Sequence, residues 1–296
     1  MDTGMETDSP DATPLAEQLG RAAALVAQAQ ALLVCAGAGM GVDSGLPDFR
    51  GDQGFWAAYP ALGRARLSFT DAANAQHFQR DPALAWGFYG HRLALYRRTQ
   101  LHPGFALLRQ WGQSMPGGCF VFTSNVDGQF QKAGFDEQAI EECHGSIHHL
   151  QCSQPCSESI WPANAVQPRV DEAACRWLGV LPRCPQCGAV LRPNVLMFDD
   201  WQWSSQRRDA QHARLQAWLA RQQQAGHRLL VIELGAGTAI ATVRRLAAQA
   251  RHKLAAQHAR LLRINPRAPN VSGPYDIGLP LGALHALQQI DQRLKG

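Results

Sequence analysis

ALLVCAGAGMGVDSGLPDFRG, residues 31–51, opens with the apolar run Ala31 to Cys35 and then passes through five glycines and a proline. A continuous apolar run ending in glycines reads as a strand buried on both faces, followed by a turn whose backbone must come close to something. Three later runs follow the same plan: Cys119 to Thr123 leads into SNVDGQF, Leu229 to Leu234 into GAGTAIATV, and Arg260 to Ile264 into NPR. Ahead of the first run, Leu15, Leu19, Ala22, Leu25 and Val26 recur at helical spacing and predict a helix from about Leu15 to Gln30. Such runs, separated by helical stretches, predict a doubly wound α/β fold with a Rossmann-like parallel sheet. In these sheets ligands bind beyond the carboxyl ends of the strands, where all four turns would converge.

Composition narrows the function classes. The 296 residues are enough for one large domain with a smaller insert. Hydrophobic content of 46% and charged content of 18% are ordinary for a soluble protein. No apolar run nears the roughly 18 residues of a membrane helix. The net charge of +4 rests on arginine, since Lys132, Lys253 and Lys295 are the only lysines, and it is too small and scattered to imply nucleic acid. Residues 1–14, MDTGMETDSPDATP, are acidic, lack the basic and apolar regions of a signal peptide, and read as a disordered tail. With no export signal, the eight cysteines point to a reducing, cytoplasmic setting in which paired cysteines hold metal.

Two segments break the sheet pattern. Residues 52–104 are rich in aromatic and arginine residues at helical spacing, and residues 150–192 carry five of the cysteines. Both are read as insertions forming a smaller domain, leaving 15–51, 105–149 and 193–296 to the sheet domain. Within the second insertion, Cys152-x3-Cys156 and Cys184-x2-Cys187 stand 27 residues apart, the spacing of a zinc ribbon. Four sulfurs close a tetrahedral shell and leave no place for water, so the expected metal is one structural zinc. Cys175 lies between the pairs as a spare thiol.

Gly37-Ala38-Gly39 has the chemistry of a phosphate-binding turn, in which bare backbone amides at a helix start can approach a pyrophosphate. It is not the G-x-G-x-x-G form. The continuation SGLPDFRG then sets an acid, an aromatic ring and a guanidinium in consecutive loop positions, where packing would not use them. His144, after Glu141-Glu142, is by itself either a structural histidine or a base whose ordinary pKa suits proton transfer near neutrality.

These residues together resemble the sirtuin family of NAD-dependent protein deacylases, with its G-A-G-x-S and G-I-P-D-F-R pattern. TSNVD (123–127) is similar to the family's T-Q-N-I-D, CHGS (143–146) to its L-H-G-S, and RPNVLMF (192–198) to its R-P-x-V-V-x-F. The resemblance runs in order from about residue 31 to 290. It implies that the acyl oxygen of a modified lysine attacks the ribose carbon of NAD as nicotinamide leaves. His144 would deprotonate a ribose hydroxyl, and water would release free lysine and O-acyl-ADP-ribose. Asn125 would hold ribose or water, Asp127 the nicotinamide carboxamide, and Asp48-Phe49-Arg50 a loop that excludes water from the reacting centre. Gly37, Ala38, Gly39, Ser124, Gly235, Gly237 and Asn265 complete the expected NAD contacts, and Phe198 the contact with an acylated protein or peptide.

Tyr89 and Arg92 in WGFYGHR are either an aromatic core residue beside a solvated arginine, or the Y-x-x-R pair seen in family members that accept acidic acyl groups such as succinyl. The chain departs from the family at Gly41 (serine), Ser124 (glutamine), Gly235-Ala236-Gly237 (G-T-S) and Phe198-Asp199-Asp200 (F-G-E). Each cofactor-side change removes a hydrogen-bonding group, costing about 0.5 to 1.5 kcal/mol without abolishing binding. The Asp199-Asp200-Trp201 loop replaces a peptide clamp that works by strand addition. That change keeps two other readings open: a mono-ADP-ribosyltransferase or NAD hydrolase on the same scaffold, and a non-catalytic NAD-sensing module, against which His144, Asn125 and Asp127 argue.

Overall fold

The computed structural model describes residues 14–47, 51–253 and 258–296. The first strands in chain order are β1 (Ala31–Ala36), β2 (Cys119–Thr123), β3 (Ile140–Glu142), β4 (Gly145–Cys152) and β5 (Trp161–Pro162). After them come β6 (Val170–Asp171), β7 (Arg176–Trp177), β8 (Leu191–Val195), β9 (Leu229–Leu234), β10 (Ala259–Ile264) and β11 (Ile277–Leu279).

Six of these strands form one parallel sheet in the order β3-β2-β1-β9-β10-β11. Counting only these six in chain order, the arrangement is 3-2-1-4-5-6, the order of dinucleotide-binding α/β sheets, with the switch point between β1 and β9. The four apolar runs are the four central strands. The two edge strands, β3 and β11, are three residues each and were not expected: Ile140-Glu141-Glu142 carries two acids, and Ile277-Gly278-Leu279 is too short to alternate.

Period-two alternation assigns the sheet's side chains to two helical layers. Leu32, Val34, Val121, Leu230 and Ile232 pack with Leu19, Val26, Leu108, Trp111, Leu287 and Ile290 of helices Leu15–Gln28, Gly104–Ser114 and Ala283–Lys295. The alternate residues Leu33, Cys35, Phe120, Phe122 and Val231 face Leu215, Trp218 and Ala247 of helices Gln206–Gln224 and Thr242–Lys253.

A separate cluster of buried side chains joins the helical segment after β1 to the cysteine-bearing segment. Its centre is the helix Pro82–Arg98, started by proline and by Asp81, whose carboxylate accepts the Leu84 amide. This helix is covered on several sides, and its glycines show why: a Cβ on Gly87 would sit 2.0 Å from the Cys175 carbonyl oxygen, and one on Gly90 would meet the Trp177 ring at 2.9 Å. Glycine thus lets the β6–β7 hairpin lie against the helix, while Trp86 donates its indole N–H to the Leu191 carbonyl on β8. Antiparallel β4 and β8 carry the chain between this cluster and the edge of the main sheet.

Candidate active site

Register places Ala36 of β1 opposite Leu234 of β9, so the two glycine turns begin side by side at the switch point. A Cβ on Gly39 would fall 2.6 Å from the Cα of Gly235, itself at φ +57°, and one on Gly37 would fall 2.8 Å from the Cα of Ala236. The glycines are required because one turn lies against the other. Their amides are largely engaged within the chain: Gly37 donates to Leu234, Gly39 to Gly235, Met40 to Gly37 and Gly41 to Ala38. The Ala38 amide has no backbone acceptor among the described residues. The expected bare phosphate cradle is therefore narrower than the sequence suggests, and the helix after it, Gly39–Val42, is a single turn. Gly41 packs on Leu46, whose Cδ1 would lie 3.1 Å from an added Cβ.

The turn after β2 is stitched to the first. Thr123 Oγ1 donates to the Ala36 carbonyl and accepts the Asn125 amide, and Asn125 Nδ2 donates to the Gly37 carbonyl at 3.1 Å. Asp127 is buried, with one carboxylate oxygen accepting the Gln129 amide at 3.0 Å. Burial raises its pKa to about 6, opposed by the Gln129 amide and reinforced by the nearby charge of Glu142. His144 sits between β3 and β4, half-buried, its carbonyl accepting the Leu196 amide at 2.9 Å. Burial holds its pKa below the ordinary histidine value, with the Ser124 backbone acting the other way. The imidazole is neutral at neutral pH and able to take a proton.

These turns open into one cleft of about 880 Å³ lined by Gly37, Ala38, Ser124, Asn125, Asp127, His144, Gly235 and Gly237, with Tyr89, Arg92 and Phe198 on the far wall. Gly39 and Asn265 do not line it. Asn265 is a turn cap: its Nδ2 donates to the Ala236 carbonyl, and its Oδ1 accepts the amides of Arg267 and Ala268. Asp48, Phe49 and Arg50 lie outside the described residues. Sequence reasoning missed Tyr96, Phe69, Met197 and Ile240, which also line the cleft. Met197 lay inside the RPNVLMF stretch, and Tyr96 carried a signal of its own, four residues beyond Arg92 on one helical face.

On the far wall the Arg92 guanidinium lies within 5.3–5.8 Å of the ring centres of Phe69, Phe88, Tyr89 and Tyr96. Both Tyr89 and Arg92 are buried, so neither is a solvated surface group. The loop after Phe198 keeps the conformation of the glycine it lacks, with Asp199 at φ +52°. Asp200 accepts a bidentate pair of hydrogen bonds from Arg192 at 2.7 and 2.8 Å, both side chains almost wholly buried. It also accepts the Met197 and Gln202 amides, which fixes the loop's path while leaving Trp201 fully exposed.

The four expected metal ligands come together. The sulfurs of Cys152, Cys156, Cys184 and Cys187 all lie within 4.8 Å of one another, with the Cys152–Cys187 and Cys156–Cys184 pairs at 3.5 and 3.6 Å. A tetrahedral zinc with bonds of about 2.3 Å needs sulfurs about 3.8 Å apart, so the set fits that ion. Against the effect of burial, the Cys187 and Gln186 amides bring the Cys184 thiol down to about 7, favouring the thiolate. Cys175 is buried away from this set.

Residues 37–217, more than half of the chain, match the model of the Sir2 family. A NAD-dependent protein deacylase of Thermococcus kodakarensis is 34% identical over 184 residues, covering 62% of this chain and 65% of the relative. The mitochondrial NAD-dependent protein deacylase sirtuin-5 of Canis lupus familiaris is 30% identical over 195 residues, covering 60% of this chain and 58% of the relative. The matched region thus spans somewhat less than two thirds of these relatives. Among solved structures, a Sir2 homologue in complex with NAD superposes with a TM-score of 0.67 over 93% of each chain, at 20% identity. At that identity the likeness speaks for the fold.

Proposed function

Because the chain belongs to the Sir2 family, we propose that it removes acyl groups from lysine side chains of a protein or peptide in a reaction that consumes NAD. One observation carries this reading: side chains and turns from four separate motifs, around Gly37, Asn125, His144 and Gly235, line one cleft at the sheet's switch point. The names of the deacylase relatives support the same chemistry.

Walls with no side chain larger than a methyl at Gly37, Ala38, Gly235 and Gly237 suit an extended dinucleotide, and the Ala38 amide is available to a phosphate oxygen. NAD supplies a ribose carbon whose bond to nicotinamide can break, leaving that carbon open to the acyl oxygen. Neutral His144 accepts the proton of a ribose hydroxyl. Asn125, its Nδ2 anchored on the Gly37 carbonyl, presents Oδ1 to a ribose hydroxyl or to water. Asp127, buried and ionised above about pH 6, accepts an N–H of the nicotinamide carboxamide. Val195, Leu196, Met197 and Phe198 give an apolar wall that keeps water from the reacting centre until transfer is complete. The net change is acyl-lysine, NAD and water giving lysine, nicotinamide and O-acyl-ADP-ribose.

On the far wall, Arg92 with Tyr89 offers a cation and a phenol to an acyl chain ending in a carboxylate, so succinyl-type groups are the proposed preference. The four cysteines hold one zinc, which carries no chemistry and ties the ends of β4 and β8 to the ribbon; elemental analysis is expected to find one zinc per chain. None of the eight cysteines is in a disulfide, in keeping with a cytoplasmic setting. The test is turnover with NAD of acetyl-, succinyl- and fatty-acyl-lysine peptides, read by peptide mass and nicotinamide release. Loss of the acyl mass from at least one peptide, only when NAD is present, is expected. Nicotinamide release with every peptide unchanged would overturn the reading.

A further inference from the structure

Tyr96 lies outside every recognised motif, one helical turn beyond Arg92, and its hydroxyl oxygen accepts hydrogen bonds from Arg92 Nε at 3.0 Å and Nη2 at 2.6 Å. Both side chains are buried, and both line the cleft. A guanidinium on a flexible stem has many rotamers, and holding it in one of them before a ligand arrives removes an entropic cost of binding. Two bonds to one oxygen fix both the plane and the rotation of the group, which stacking against the surrounding rings alone would not do. The backbone holds Tyr96 in turn, its carbonyl accepting Gln129 Nε2 at 3.1 Å just after Asp127. The phenol's own hydrogen has no acceptor among the described residues, so it remains a donor within the same wall.

We propose that Tyr96 is a specificity-determining positioning residue: its phenol pre-orients Arg92 so that an acyl chain ending in a carboxylate meets an already aligned cation. This rests on the reading of the cleft as an acyl-lysine site and of Arg92 as its carboxylate partner. A neutral acyl group makes no use of that alignment. Tyr96 therefore acts on the ratio between acidic and neutral acyl substrates.

The experiment compares kcat and KM for succinyl-lysine and acetyl-lysine versions of one peptide in the full chain, for the wild type, Arg92→Met and Tyr96→Phe. Affinity for the succinyl peptide without NAD is read in parallel by fluorescence anisotropy. Tyr96→Phe removes a single oxygen and is expected to lower the succinyl-to-acetyl ratio of kcat/KM about tenfold, chiefly through KM, with a matching loss of affinity. Arg92→Met is expected to lower the ratio further. If Arg92→Met leaves the ratio unmoved, the acidic-acyl reading fails and the role of Tyr96 fails with it. If Arg92→Met lowers the ratio and Tyr96→Phe does not, the Tyr96 inference alone is overturned. An equal loss on both peptides in Tyr96→Phe marks a structural role and also overturns it.

Discussion

The two walls of the cleft are built from different materials. On the sheet side the chain meets ligand space with backbone: Gly37, Ala38, Gly235 and Gly237 present no polar side chain, and the turns are laced to one another through their own amides. On the far side it meets ligand space with large side chains, among them Tyr89, Arg92, Tyr96 and Phe69, packed ring against cation. On the proposed function, backbone would recognise the part that every substrate shares, whereas a positioned guanidinium would distinguish one acyl chain from another. Generic binding and selectivity would then be divided between the sheet and the inserted cluster. His144 and Asn125, the proposed reacting centre, line the same cleft as both walls.

The largest expected effect is at that junction. His144→Ala should lower kcat for deacylation by about 100- to 10,000-fold, the span of a lost general base, measured by peptide mass at saturating NAD. In the wild type, the rise of kcat/KM with pH should have its midpoint below the ordinary histidine value, because burial lowers the His144 pKa. Behind the sheet wall, Gly39→Ala would put a methyl 2.6 Å from the Cα of Gly235 and force two backbones apart. A loss of about 1–3 kcal/mol in a denaturant midpoint series is expected, together with a raised KM for NAD.

Asp127 separates the wall's stability from its function. Its folded pKa, about 6, lies above the ordinary value of 3.8, so the folded state binds the proton more tightly than the unfolded chain does. Its contribution to stability is fully present below about pH 4, falls as pH rises through 6, and is a penalty above that. Asp127→Asn should therefore stabilise the ligand-free protein by about 2–3 kcal/mol at pH 8 and by almost nothing at pH 4, while weakening nicotinamide release. The smallest effect belongs to the loop that follows Phe198. Asp199→Gly relieves a left-handed residue at φ +52° and should stabilise by about 0.5–1 kcal/mol. Gly39→Ala and Asp199→Gly then have opposite signs, one behind the sheet-side turns and one in the loop that follows Phe198.

What the sequence disclosed follows the same division. Central strands β1, β2, β9 and β10 were legible because burial on both faces demands unbroken apolar runs. Edge strand β3 was not, because Glu141 and Glu142 are buried against His212 and Arg207, partners some 70 residues on. Antiparallel β4 and β8 were hidden for a similar reason: Gln151, Arg192 and Asn194 look like loop residues until Asn194 is seen donating to Gln151, and Arg192 pairing with Asp200. Asn265 read as a cofactor contact, and in the structure it also caps the turn that Asn-Pro opens, its Oδ1 accepting the amides of Arg267 and Ala268. Tyr96 went unread because a helix covered on several sides shows no polar stripe to mark which face lines the site. The metal set was legible because four sulfurs around one ion leave a spacing that survives any surrounding fold.

The most direct test of the account is the stoichiometry of a single reaction. With NAD and the preferred acyl-lysine peptide, one nicotinamide and one O-acyl-ADP-ribose should appear for every lysine freed, counted together by mass spectrometry over the course of turnover. Nicotinamide released with the peptide still acylated, or ADP-ribose found attached to the protein, would contradict it.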